Sequence, residues 1–101
     1  MRPPRIVELL AQAEEFQRLL DSGEAASRAD LARRFTMSRA RVTQILNLLL
    51  LDPSLRAALA TLGPRHVGPP VTERGLRSLM GDPEGQAALA RLLRASGKRT
   101  P

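Results

Sequence analysis

The sequence predicts an all-α fold, a small helical domain of about five or six helices that contains a helix-turn-helix. Three observations carry this. Apolar residues recur at helical spacing through most of the chain, and no segment alternates convincingly as a strand. Aromatics are 2% of residues against an apolar fraction of 43%, so the core is built from Leu, Ala and Val, which favours closely packed helices. Residues 28–47, RADLARRFTMSRARVTQILN, place small Ala32 mid-helix, a polar break at Thr36-Met37-Ser38, and a resumed apolar pattern at Val42 and Ile45.

The elements follow in order. Met1–Pro4 reads as a frayed tail. A first helix is expected over about Arg5–Asp21, with Ile6, Leu9, Leu10, Ala13, Phe16 and Leu20 as its buried stripe and Gly23 as its stop. Ser27-Arg28-Ala29-Asp30 resembles a capping box and opens a second helix ending near Phe35, with Leu31, Ala32 and Phe35 inward. Ser38 is the natural N-cap of a third helix over about Arg39–Leu51. Asp52-Pro53 stops it, because proline disfavours helical geometry in the preceding residue.

In the first half of that third helix, Val42, Ile45, Leu46 and Leu49 form one stripe. In the second half, Leu48, Leu50 and Leu51 make it apolar all round. Something must cover those leucines: the following helices or a second subunit. A short helix is expected over about Pro53–Leu62, then a Pro/Gly linker over about 63–71. Thr72 caps a helix to about Met80, with Leu76, Leu79 and Met80 inward. Asp82-Pro83 starts the last helix, to about Ala95, with Leu89, Leu92 and Leu93 inward, and a polar tail closes the chain. The 101 residues thus read as one helical domain, with the helix-turn-helix at about 27–51 and the C-terminal helices at about 72–95.

The motif suggests a chemistry. Two short helices crossing steeply touch through few positions, and Ala32 is where bulk would hold them apart. The turn between them often has glycine at the position of Thr36, because the chain is left-handed there; threonine is β-branched and costs energy in that conformation. The outer face of the third helix holds no acidic residue from Arg39 through Asn47. It holds the side chains that pair best with base edges in the major groove: Arg with guanine, Gln and Asn with adenine, Thr through its methyl with thymine.

Arg39, Ala40, Thr43 and Gln44 are the candidates for base contact. Arg41, on their flank, reaches a base or a phosphate, and Asn47, one turn on, reaches the backbone. Ser27, Arg28 and Ser38 stand at helix N-termini, where main-chain amides bind phosphate. Arg33 and Arg34 are either further phosphate contacts or solvated charges. The formal charge of +6, nearly all from Arg, predicts attraction to polyanions.

The segment SRADLARRFTMSRARVTQILNLLLLDPSLRAAL resembles the DNA-binding domain of the ParB and KorB partition and repressor family. It is equally similar to helix-turn-helix segments associated with phage and transposon recombinases. Ala32, the run Ser38-Arg39-Ala40-Arg41-Val42-Thr43-Gln44-Ile45-Leu46 and the Leu-rich exit into Asp52-Pro53 carry the likeness. Val71-Thr72-Glu73-Arg74-Gly75-Leu76-Arg77-Ser78-Leu79 and Pro83-Glu84-Gly85-Gln86 extend it, so that it covers about Phe16–Leu93. The resemblance implies an all-helical, sequence-specific DNA-binding domain working as a dimer or on paired half-sites. It does not extend to the family's N-terminal nucleotide-binding domain or C-terminal dimerisation domain. CTP hydrolysis, clamp sliding and chromosome partition are therefore not expected.

Other function classes fare poorly. There is no cysteine, so no disulfide framework or thiolate metal site, and the single His66 makes no metal site alone. No tyrosine is present to serve as a recombinase nucleophile, and no glycine-rich phosphate loop appears. Neither enzyme activity nor a cofactor is expected. No apolar run approaches the roughly 18 residues needed to span a bilayer. The N-terminus lacks the apolar core of a signal peptide, since Glu8 and Glu14 interrupt it.

The expected function is sequence-specific binding of double-stranded DNA, as a transcriptional regulator or a mobile-element or partition accessory, in the cytoplasm and nucleoid of a bacterium or phage-infected cell. A homodimer through Leu48, Leu50, Leu51 or the last helix would supply paired half-sites. The alternative is an interaction module docking a recombinase or other protein through the Leu-rich helix. A second alternative is charge-driven nucleic-acid binding, including RNA, though Phe16 and Phe35 read as buried and offer no stacking platform.

Overall fold

The computed structural model describes residues 5–62 and 71–97 of the chain. Six α-helices and one 3₁₀ turn form among them, and no strand. They are α1 (Arg5–Ser22), α2 (Arg28–Arg34), α3 (Arg39–Leu46), the 3₁₀ turn (Asn47–Leu50), α4 (Pro53–Ala60), α5 (Glu73–Ser78) and α6 (Pro83–Gly97). The expected all-α class is what the chain adopts. None of these helices is long and apolar enough to cross a membrane. The expected tail at Met1–Pro4 and the linker over 63–70, with His66, lie outside the described residues.

The chain divides into two compact units, Leu9–Leu50 and Met1–Glu8 with Leu51–Pro101. In the first, α1 buries Leu9, Leu10, Ala13, Phe16 and Leu19. Leu19, not the expected Leu20, completes the stripe, and Leu20 is half-buried. The reason lies in the reversal after α1. Gly23 takes φ +81°, and the Ala25 amide donates to the Leu19 carbonyl at 3.0 Å. The returning chain therefore lies on Leu19's side of the helix.

Leu31 and Ala32 of α2 are buried as expected, but Phe35 is 40% exposed. It is the C-cap of α2, where the helical angles end, so its side chain leaves the inward stripe. Its ring keeps one contact, tilted 58° against Phe16 with centroids 4.9 Å apart, a favourable aromatic geometry.

The expected third helix is shorter than its apolar pattern. It is α-helical only to Leu46 and then tightens into the 3₁₀ turn. With about three residues per turn, positions 48 and 51 fall on one side: Leu48 and Leu51 are buried, while Leu50 is 75% exposed. Leu48 and Leu51 are thus covered within the chain, which removes them from the expected dimer surface and leaves Leu50.

In the second unit, Asp52 caps α4 by accepting from the Ser54 amide at 3.0 Å, with Pro53 at the first helical position. That helix ends at Ala60, short of the expected Leu62. Thr72 caps α5, accepting from the Gly75 amide at 3.0 Å. That helix ends at Ser78 rather than Met80, and Leu79 and Met80 are half-buried. Asp82 holds the start of α6 through the Gly85 amide at 3.0 Å. α4 and α6 pack on each other.

The buried stripe of α6 is Gln86, Ala90 and Leu93, and Leu92 is 56% exposed. The spacing of four and three sets that face, and Leu92 points off it. Gln86 tolerates burial because both polar atoms of its amide are bonded. Its Oε1 accepts from the Asp52 amide at 2.7 Å, and its Nε2 donates to the Leu79 carbonyl at 2.8 Å. One side chain thereby satisfies the entry to α4 and the exit from α5.

Candidate nucleic-acid interface

The interface is built within the Leu9–Leu50 unit, from the starts of α2 and α3. Ser27 has extended backbone and its hydroxyl accepts from the Asp30 amide at 3.1 Å. Asp30 reaches back, as the capping pattern predicts, but one residue further. Its Oδ2 accepts from the Ala26 amide at 3.0 Å, not from Ser27. Ser38 repeats the device for α3, accepting from the Arg41 amide at 3.0 Å.

Between the helices, Thr36 takes φ +54°, the left-handed geometry for which glycine is better suited. The Met37 amide then donates to the Ala32 carbonyl at 3.0 Å. This tight turn lets α3 pack against α2, and Ala32 of α2 is buried.

That arrangement brings two helix starts to one side. Ser27, Arg28, Ala29, Arg39, Ala40 and Thr43 line an open concavity. Five of the sequence-predicted residues are therefore gathered in one place. Across it, Nη1 of Arg28 donates to Oγ1 of Thr43 at 3.2 Å, a bond between residues 15 apart in sequence. Ala29 joins the lining without having been singled out. The available signal was its small size at the second position of a helix whose first residue is already a candidate.

The other candidates stand apart from the concavity. Ser38 is exposed and occupied with its cap. Arg41 and Gln44 are half-buried and bond to each other, Nη1 of Arg41 donating to Oε1 of Gln44 at 3.2 Å. Gln44 therefore offers a base its amide only after leaving, or while sharing, the arginine. Asn47 does not continue α3 as expected. It is the C-cap of α3 and the first residue of the 3₁₀ turn, and it is half-buried.

The charges sort themselves. Arg33 and Arg34, open between phosphate contact and solvation, both pair with Asp30, at 3.3 and 3.4 Å. Arg34 also donates to the Glu24 carbonyl at 2.6 Å. The Ala26 amide above all, with lesser help from Arg34 and Arg33, holds the Asp30 carboxyl below its ordinary value despite the opposing effect of burial. Arg18 is engaged by Glu15 and Glu24 at 2.7 and 2.9 Å. Its bond to Glu15 keeps that carboxyl low, while Glu24 is lowered first by the Ser22 hydroxyl and then by Arg18.

Three of the five acids of this unit, Glu15, Glu24 and Asp30, are thus paired with Arg18, Arg33 and Arg34. Arg28 and Arg39, which line the concavity, have no acidic partner among the described residues. No acidic side chain lines it, so its field is positive and suited to an anion-bearing partner. Among the described residues, no cluster of three or more His, Cys, Asp or Glu is placed to hold a metal ion.

No protein-family model, no curated protein and no solved structure matches this chain. The functional reading therefore rests on the geometry and the residues themselves.

Proposed function

We propose that this chain binds double-stranded DNA in a sequence-specific manner, placing the start of α3 in the major groove. The observation that carries the reading is the concavity between the starts of α2 and α3. It holds two arginines without acidic partners, a threonine buttressed by one of them, and no carboxylate. With its side chains an α-helix such as α3 is about 10–12 Å across, a cross-section that a major groove about 12 Å wide admits.

In this reading Arg39 reads guanine by its planar fork, Ala40 and the Thr43 methyl meet thymine, and Gln44 contributes an amide. Ser27, Arg28 and Ser38 lie toward the phosphates. The ParB- and KorB-like character of the motif, a nucleoid location, and a role as transcriptional regulator or mobile-element or partition accessory belong to the same proposal. A single eight-residue helix reads few base pairs, so paired half-sites bound by a homodimer complete it.

The test is selection from a random duplex library at about physiological salt, where non-specific binding is weak. One enriched motif is expected, weakened by about 1–3 kcal/mol, or roughly 5- to 150-fold, in Arg39→Ala. Binding that merely fades with salt and enriches nothing would refute base-specific recognition.

One observation favours the second reading, docking of a recombinase or other protein. Leu50 is 75% exposed on the turn following α3. Leu50→Asp separates the two. If it abolishes partner capture while duplex binding is intact, docking gains; if duplex binding and selectivity are unchanged and no partner is lost, docking fails. Leu48 and Leu51 are unsuitable for this purpose, because both are buried and a charge there would unfold the chain.

A further inference from the structure

The net charge of +6 is unevenly placed along the chain. In Leu9–Leu50, the unit holding the candidate interface, six arginines (Arg18, Arg28, Arg33, Arg34, Arg39 and Arg41) face five acids (Glu14, Glu15, Asp21, Glu24 and Asp30). That unit is close to neutral, and three of its arginines are tied to its own carboxylates. The remaining excess of five belongs to the unit of Met1–Glu8 with Leu51–Pro101. The unit that reads bases in the proposed function is thus not the one that carries the charge.

Five described arginines of that second unit are exposed and take part in no ion pair among the described residues: Arg5 at the start of α1, and two pairs, Arg74 and Arg77 on α5 and Arg91 and Arg94 on α6. Each pair is spaced three apart and so shares one helix face. The acids nearby in sequence are committed elsewhere. Asp52 and Asp82 cap helices, and Glu73 and Glu84 stand in the first turns of α5 and α6, where the helix dipole favours them; Glu73 is also engaged in an interaction of its own. Arg77 and Arg94 sit in last turns, where a cation also offsets the helix carbonyls. Arg74 and Arg91 stand about a turn earlier, where that effect has faded.

We propose that the second unit carries a sequence-independent contact to the DNA phosphate backbone, made by Arg74 and Arg77 on α5 and Arg91 and Arg94 on α6. This rests on the duplex-binding function proposed above and divides its labour. The α2–α3 unit supplies discrimination between sequences, and the α5 and α6 arginines supply salt-sensitive attraction common to all of them.

The test measures affinity for a selected duplex and for a random-sequence duplex between about 50 and 200 mM salt. The variants are Arg74→Gln/Arg77→Gln, Arg91→Gln/Arg94→Gln, the quadruple Gln form and the quadruple Lys form. All four positions are exposed, and thermal melts verify folding. Each contacted phosphate contributes about 0.9 to the slope of log K against log salt. The quadruple Gln form is expected to lower the slope by roughly two to four and each double by roughly one to two, with base preference unchanged. The Lys form retains the wild-type slope.

Arg33→Gln/Arg34→Gln removes two charges that are already ion-paired, and is expected to change the slope by less than either double. A quadruple Gln form with the wild-type slope overturns the inference, as does a change no larger than that control. If the wild type enriches no motif yet the quadruple form still flattens the slope, base recognition fails and the backbone contact stands. Absence of any duplex binding by the wild type overturns both.

Discussion

Thr36→Gly is expected to stabilise the protein, which reverses the usual effect of introducing glycine. Thr36 is the only described residue other than glycine with positive φ, at +54°. Left-handed geometry costs an L-residue roughly 1–2 kcal/mol, with a β-branched side chain toward the upper end. Glycine removes that cost but widens the unfolded ensemble, which returns about 0.4–1 kcal/mol. The Thr36 side chain is exposed and lies outside the concavity, so little packing is lost and no proposed contact is touched.

The balance is about 0.5–1 kcal/mol in favour of Gly. For a domain of this size that corresponds to a rise in Tm of roughly 2–8 °C. Thermal melts followed by far-UV circular dichroism read it directly. Thr36→Ala keeps a Cβ in the left-handed region and should recover less than glycine does. Thr36→Pro, whose ring fixes φ near −65°, should unfold the motif. A Tm lowered by Thr36→Gly would refute the reasoning, because it would mean that the turn between α2 and α3 stores no backbone strain.

Three further outcomes are expected. Gln86→Leu leaves the Asp52 amide without its partner and the Leu79 carbonyl with the Asp82 amide alone, and should lower the free energy of unfolding in urea by about 1–3 kcal/mol; an unchanged midpoint would mean that the buried bonds contribute nothing. The Asp30 carboxyl titrates below its ordinary value in the folded state, so its stabilising contribution is complete above the unfolded pKa, near about 3.9, and is lost as pH falls through the lower folded value. The Tm difference between wild type and Asp30→Asn should therefore be largest near neutral pH and shrink on acidification, and a pH-independent difference would contradict this. Arg28→Met and Thr43→Val each break the bond between the two side chains, so their effects on duplex selectivity should be non-additive in a double-mutant cycle, whereas additive effects would show that the residues act independently.

The particular residues show which features were legible beforehand and which were not. Ser27, Ser38 and Thr72 announce the starts of α2, α3 and α5 because a cap bonds an amide three residues away, inside the reach of local sequence; Pro53 announces α4, while the cap at Asp52, read as the stop of the preceding helix, emerged with the structure. Gly23 and the strained Thr36 mark turns for the same local reason. Leu31, Val42 and Ile45 are buried where their spacing puts them. Phe35, Leu50 and Leu92 are apolar yet exposed, since hydrophobicity states a preference and the helix ends and crossing decide whether it can be met.

By itself, then, the sequence determined the all-α class, the caps at Ser27, Ser38 and Thr72, most of the buried stripes and the pairing of two short helices, all of which depend on relations within about one or two helical turns. Only the tertiary structure decided that Arg28 buttresses Thr43, that Gln86 closes the Asp52 and Leu79 backbone, and that a run of leucines tightens into a 3₁₀ turn with Leu48 and Leu51 covered. Those outcomes depend on where one element meets another, over separations of 15 and 34 residues for the Arg28 and Asp52 bonds, and no periodicity or cap encodes a meeting at that distance.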